Sequence, residues 1–198
     1  MGLWRKIMGN CEFWRPYVDD QSLTRLNIGA GPLKIEGAVN LDIDPGLEPD
    51  VVHDLTQFPY PFEDNTFDYV HCSKVIEHLL DTIPVMEEIG RITKPGGLVY
   101  VAVPHFASGM ACGDPTHVSF FSTTTFKNFY AVGKYMKSGV RFPLVRLELH
   151  FSKIYKLFGL HWFANRAPHF YEDHWAYLAP AKYIHAIMRV EKDASQSD

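Results

Sequence analysis

At 198 residues with 46% hydrophobic content, the chain is long enough to bury an ordinary core and fits one globular unit over 1–198. A formal charge of -4 supplies no general cationic field, so nucleic acid is not the expected partner, although Lys127, Lys134, Lys137, Arg141 and Arg146 leave an RNA-directed reading open. Cys11, Cys72 and Cys112 are too few and too scattered for a disulfide framework, and no C-x-x-C pair exists, which points to a reducing, cytoplasmic setting. No segment is apolar over the length a membrane span needs.

Residues 1–22 open with Trp4, Ile7, Met8, Phe13 and Trp14 among Arg5, Lys6 and Arg15. This is not the apolar run of an export signal, and it reads as an amphipathic N-terminal cap over the sheet or a ligand, with a membrane-surface helix as the alternative. Leu26 to Ile28 then forms a short apolar strand running into Gly29-Ala30-Gly31, and Ala38 to Leu41 forms a second strand ending at Asp42-Ile43-Asp44. Glycine tolerates positive φ and lacks the Cβ that would hold a ligand off the backbone, while an acid after the next strand can accept both ribose hydroxyls. The turn is neither a dinucleotide fingerprint, since Lys34 stands where a third glycine is needed, nor a Walker loop. Alone, a G-x-G turn is weak evidence for a nucleoside site.

Further strands are expected at Val51–Val52, Phe67–Cys72 and Leu98–Val103, and a helix over Thr82–Ile92 with Ile83, Met86, Ile89 and Gly90 on one face. Lys94-Pro95-Gly96-Gly97 reads as its stop signal. Ser122 is placed to cap a helix through Tyr130. Val145 to Ser152 alternates apolar and polar residues as a half-buried strand, and Ile184 to Val190 reads as the last strand. The aromatic-rich stretch 157–182 between them suits an insertion or lid. Strands separated by helices indicate a parallel α/β sheet.

Five blocks fall in order along residues 24–125: Leu26 to Gly31, Asn40 to Asp44, Val52-His53-Asp54-Leu55, Phe62 to Val70, and Lys94-Pro95-Gly96-Gly97-Leu98. In this order and spacing the chain resembles the class I S-adenosylmethionine-dependent methyltransferases, in particular the type 11 group. The resemblance implies a Rossmann-like α/β fold with a seven-stranded, mostly parallel sheet whose last strand is antiparallel. Pro32 to Val39 leaves room only for a shortened first helix. It further implies S-adenosylmethionine as cofactor, with Gly29, Ala30 and Gly31 beside its methionine and ribose. Asp42 would hold the ribose, with Ile43 following and Asp44 a second candidate. Asp54 and Leu55 would meet the adenine, and Cys72 and Ser73 the sulfonium end.

Methyl transfer from a sulfonium is an in-line displacement helped mainly by alignment, and an oxygen or nitrogen acceptor also gives up a proton, for which histidine is suited near neutral pH. His117 and His105 are the candidate bases or acceptor-orienting groups, in the run Gly113-Asp114-Pro115-Thr116-His117 and after Val103-Pro104. Asp114, Tyr171 and His174 are candidate acceptor contacts; Asp114 and His117 serve equally well as a pair that pins their loop, and Glu77-His78 reads as packing beside the cofactor. His105, Cys112, Asp114 and His117 follow no zinc spacing, so no metal is expected. The activity expected is S-adenosylmethionine-dependent methyl transfer to a small-molecule, carrier-linked or glycan acceptor. A nucleoside-binding module of the same fold without transfer, and an RNA methyltransferase, are the alternatives.

Overall fold

The computed structural model describes residues 13–131 and 138–192. Most of the expected cap, Cys11, Lys134 and Lys137 lie outside them. Seven strands form one sheet in the order β3-β2-β1-β4-β5-β8-β7: β1 Arg25–Ile28, β2 Val39–Asp42, β3 Val51–Val52, β4 Phe67–Ser73, β5 Thr93–Pro104, β7 Leu144–His150 and β8 Tyr183–Arg189. The pairs among β1 to β5 are parallel, and β8 runs antiparallel between β5 and β7. This is the expected sheet, with β8 as its reversed strand. A two-stranded ribbon of β6 Val140–Arg141 and β9 Glu191–Lys192 lies beside it.

Burial on both faces explains the apolar runs: β1, Tyr69–Cys72 of β4 and Val99–Pro104 of β5 are buried. One face packs under α2, Thr82–Ile92, capped by Asp81, whose side chain accepts from the Ile83 N–H at 3.2 Å. Val85, Met86, Ile89 and Ile92 are its inward residues, and Gly90 is where the ribbon passes, since a Cβ there would stand 2.5 Å from Val140 Cγ1. The helix ends at Ile92 and β5 begins at once, so Lys94-Pro95-Gly96-Gly97 forms the irregular entry of the strand rather than a separate loop.

No helix forms between β1 and β2; residues 32–38 are turns. The opposite face is covered there by α1, Arg15–Val18, and its flanks: Trp14 and Val18 pack with Ile35, Tyr69, Tyr100 and Ile187. Under this cover lie two buried histidines, His71 stacked on Tyr100 at 4.6 Å between ring centroids, and His185, whose Nδ1 meets the Tyr100 hydroxyl at 2.6 Å.

After β5 come α3, Gly109–Gly113, and α4, Thr123–Ala131. The Thr123 N–H at the head of α4 donates to Glu172 at 2.7 Å, so a distant carboxylate meets the first orphan donor of the helix. Residues 153–174 fold into three short helices, α5 Lys153–Leu157, α6 Leu160–Arg166 and α7 Pro168–His174. Tyr171 ties the last to the β8 approach: its hydroxyl donates to the Ala179 carbonyl at 2.9 Å and accepts from the Ala181 N–H at 2.7 Å. No helix among the described residues is long and apolar enough to cross a membrane.

Candidate functional site

The site lies at the carboxyl ends of β1, β2 and β4, where ligands sit in open parallel sheets. Gly29, directly after β1, has φ +61°, and a Cβ there would stand 2.3 Å from Val75 Cγ2, so both conformation and contact demand glycine. Gly31 has φ +52° with nothing within 4 Å of a would-be Cβ, which leaves its backbone open to a ligand. Asp42 ends β2 and is oriented by two backbone donors: Gly31 N–H to Oδ2 at 2.7 Å and Asp44 N–H to Oδ1 at 3.0 Å. Each oxygen keeps a second lone pair for a diol.

A cavity of about 270 Å³ is lined by Gly29, Leu41, Asp42, Ile43, His53, Asp54, Leu55, Lys74, Val75, His78 and Leu79. Five residues singled out in the sequence meet here, namely Gly29, Asp42, Ile43, Asp54 and Leu55. Ile43 is largely exposed, an apolar surface for a flat ring. Asp54 accepts from the Thr56 N–H at 2.9 Å and hydroxyl at 2.8 Å, and these bonds hold its carboxyl below the usual range.

Cys72 belongs elsewhere. Its thiol is fully buried in the core, and burial pushes its pKa up, because alternation along β4 turns that side chain inward. The expected wall at Cys72 and Ser73 is formed instead by Lys74 and Val75, where the chain leaves the strand through Lys74 in the left-handed region at φ +61°. Ala30 is buried and is not a lining residue either.

A second cavity of about 440 Å³ shares Lys74 and His78 with the first and is lined also by Glu77, Pro104, Met110, Gly113, Asp114, Pro115, His117 and Tyr183. The loop carrying His117 is docked on the single turn Ile76–His78: the Glu77 carbonyl accepts from Val118 N–H at 2.9 Å and Ser119 N–H at 3.1 Å. His117 Nδ1 meets the Ala111 carbonyl at 3.0 Å, and the His78 and His117 rings lie 4.6 Å apart edge to face. Asp114 stands 4.0 Å from His117 Nε2, so the two share a loop with only a loose contact. Glu77 is 1% exposed, and burial pushes its carboxyl up to about 7 despite the Lys74 charge.

His105, Tyr171 and His174 lie away from this cavity. His105 is buried with Nε2 3.3 Å from Glu172 and Nδ1 accepting from Ala107 N–H at 3.3 Å, a strut between the end of β5 and α7. Both Tyr171 hydroxyl functions are occupied by backbone, and His174 stacks on Phe170 with its Nδ1 on the Phe170 carbonyl at 3.0 Å. His53, Lys74 and Tyr183 are polar lining residues to which the sequence assigned no role, and Glu77 and His78, read as packing beside the cofactor, line the second cavity.

Residues 29–101 match the family model described as a methyltransferase domain. A dimethylglycine N-methyltransferase of Parasynechococcus marenigrum is 35% identical over 74 residues, 37% of this chain and 26% of the relative. A demethylmenaquinone methyltransferase of Bacillus pumilus is 49% identical over 39 residues, 20% of this chain and 17% of the relative. The matches thus span about a quarter or less of these relatives' lengths. Among solved structures, a SAM-dependent methyltransferase from Archaeoglobus fulgidus superposes with TM-score 0.62 at 19% identity, covering 94% of this chain and 97% of that one. The cyclase SpnF superposes with TM-score 0.55 at 17% identity over 86% and 75%. With its strand order, its glycine turn and Asp42 in place, the chain has a class I methyltransferase fold, and its residues 29–101 are similar to the methyltransferase domain of that family model.

Proposed function

We propose that the protein transfers a methyl group from S-adenosylmethionine to an acceptor seated against His117. The observation that carries this reading is the junction of two cavities, one ringed by Gly29, Asp42, Ile43, Asp54 and Leu55, the other by His117 and Glu77, with Lys74 and His78 common to both. The residues suit the cofactor. Asp42 is preset by two N–H donors to accept a ribose diol, Gly31 presents no Cβ, and Ile43 and Leu55 provide an apolar edge for a base with Asp54 beside it. When bound, S-adenosylmethionine supplies an electrophilic methyl on a sulfonium that departs as a neutral thioether.

The chain's own contribution is positioning. Alignment of acceptor and donor supplies roughly 7–11 kcal/mol of a displacement barrier without a covalent catalyst. The Ala111 carbonyl fixes the His117 ring, so that the acceptor meets a group of one orientation. A small molecule, or the exposed end of a carrier-linked or glycan acceptor, fits a cavity of about 440 Å³ that opens to solvent. Calorimetric binding of S-adenosylmethionine or its product, followed by label transfer to an acceptor panel, tests the proposal. Absence of cofactor binding overturns it, and binding without turnover on any acceptor favours a nucleoside-binding module.

A further inference from the structure

We propose that Glu77, His78 and His117 form a site for one divalent first-row metal cation of the zinc or cobalt type, at the seam between the two cavities. One ligand atom from each lies within 4.8 Å of the others, close to the roughly 4 Å across a shell whose bonds are about 2.0–2.2 Å. Two histidines and one carboxylate with open positions form a donor set suited to zinc, iron or cobalt rather than to magnesium or calcium.

The hydrogen bonds set the tautomers. The Thr116 hydroxyl donates to Asp114 Oδ1 at 2.6 Å, so toward His78 Nδ1, 2.9 Å away, it can only accept. His78 therefore carries its proton on Nδ1. His117 Nδ1, facing the Ala111 carbonyl, carries its proton there too. Both Nε2 lone pairs are left without that proton and are available to a cation. An outer carbonyl or carboxylate-linked acceptor behind each imidazole is the usual support of a metal-bound histidine.

The second observation is Glu77. Its carboxylate is 99% buried, and neither oxygen has a hydrogen-bond partner. A buried carboxylate without a donor is costly, and a cation in the pocket removes that cost. The Lys74 charge eases that cost only in part and donates no hydrogen bond to either oxygen, its ammonium sitting over the Tyr183 ring, 4.9 Å from the centroid. A cation held here faces the acceptor cavity and presents its open positions to an acceptor oxygen. That role rests on the methyl-transfer reading; the metal site itself does not.

Chelator-stripped protein, free of cofactor, is titrated with Co²⁺ and then Zn²⁺, with binding followed by visible d–d absorption and calorimetry. One equivalent of Co²⁺, displaced by Zn²⁺, is expected. His117→Ala and Glu77→Gln lower the affinity at least tenfold, while His169→Ala, an exposed histidine elsewhere, does not change it. Thr116→Val, which keeps all three ligands and removes the acceptor behind His78, weakens binding by about tenfold. Absence of a stoichiometric site, or unchanged affinity in folded His117→Ala, overturns the proposal. If Glu77→Gln or His117→Ala fails to fold by circular dichroism, His78→Ala at its exposed position decides in their place. Cofactor binding measured separately on the same metal-free protein tells failure of this site from failure of the methyl-transfer reading.

Discussion

Replacing Asp42 with alanine isolates the contact on which the cofactor assignment turns. The carboxylate ends β2 with both oxygens already oriented, by Gly31 N–H at 2.7 Å and Asp44 N–H at 3.0 Å. Two ribose hydroxyls donating to a charged acceptor are worth about 1.5–3 kcal/mol each, and the replacement also frees the turn that shapes the cavity. Part of this gain is offset because water solvates the carboxylate when the site is open, so a net loss of about 3 kcal/mol, roughly a hundredfold in affinity, is expected. Gly31 and Asp44 lie near solvent, and water can replace their lost acceptor, so the fold should lose under about 1 kcal/mol. Titration calorimetry with S-adenosylhomocysteine, paired with thermal melts, reads both quantities. An Asp42→Ala protein that melts like the parent and binds within twofold of it would refute the reasoning, because the carboxylate would then not touch the ligand.

The two glycines of the turn should separate conformation from contact. Gly29→Ala meets Val75 Cγ2 at 2.3 Å in a left-handed conformation, and a loss of about 2–4 kcal/mol in chemical denaturation is expected; Gly31→Ala has free space and should cost about 1–2 kcal/mol while still weakening cofactor binding. Tyr171→Phe removes a hydroxyl that bridges Ala179 and Ala181, so about 1–3 kcal/mol of stability should be lost with cofactor affinity unchanged, and a selective loss of acceptor turnover would instead place Tyr171 in the site. Burial lowers His71 and His185 to about 3 and His150 to about 4, with Tyr69, Tyr100, Tyr183, Lys74, Lys156, Lys182 and His161 among the titratable groups around them. Their folded pKa values lie below the unfolded value near 6.5, so the unfolded chain binds more protons in between. The stability they contribute is complete above about pH 6.5 and falls as pH drops toward 3, by up to about 1.4 kcal/mol per pH unit for each histidine. His185→Gln should flatten the fall of Tm between pH 6.5 and 4, and an unchanged slope would show that His185 is not buried neutral.

Local pattern was enough for the elements: Thr82–Ile92 was legible because the inward positions of α2 recur at helical spacing, and Leu144–His150 because apolar and polar residues alternate along it, although burial departs from that alternation, with Val145 exposed and His150 buried. Where the reading failed, the partner was distant in the chain. Cys72 reads as a plausible cofactor wall, yet strand alternation turns it into the core and hands that wall to Lys74 and Val75. His105 and His117 look alike in sequence, but Glu172, 67 residues further on, occupies the first as a strut. Glu77 is unremarkable in sequence and becomes notable only when the loop at 114–119 folds over it and excludes water.

The sequence by itself determined the α/β order, the glycine turn and the acids after β2 and β3, because each depends on backbone conformation and residue type within a few positions. Tertiary structure alone decided that the face lacking a helix between β1 and β2 is covered by Trp14 and Val18, and that Lys74 and His78 join two cavities. It also decided which of His105 and His117 lines the second cavity. Those outcomes depend on burial and on hydrogen-bond partners brought together by the sheet, which no local spacing encodes.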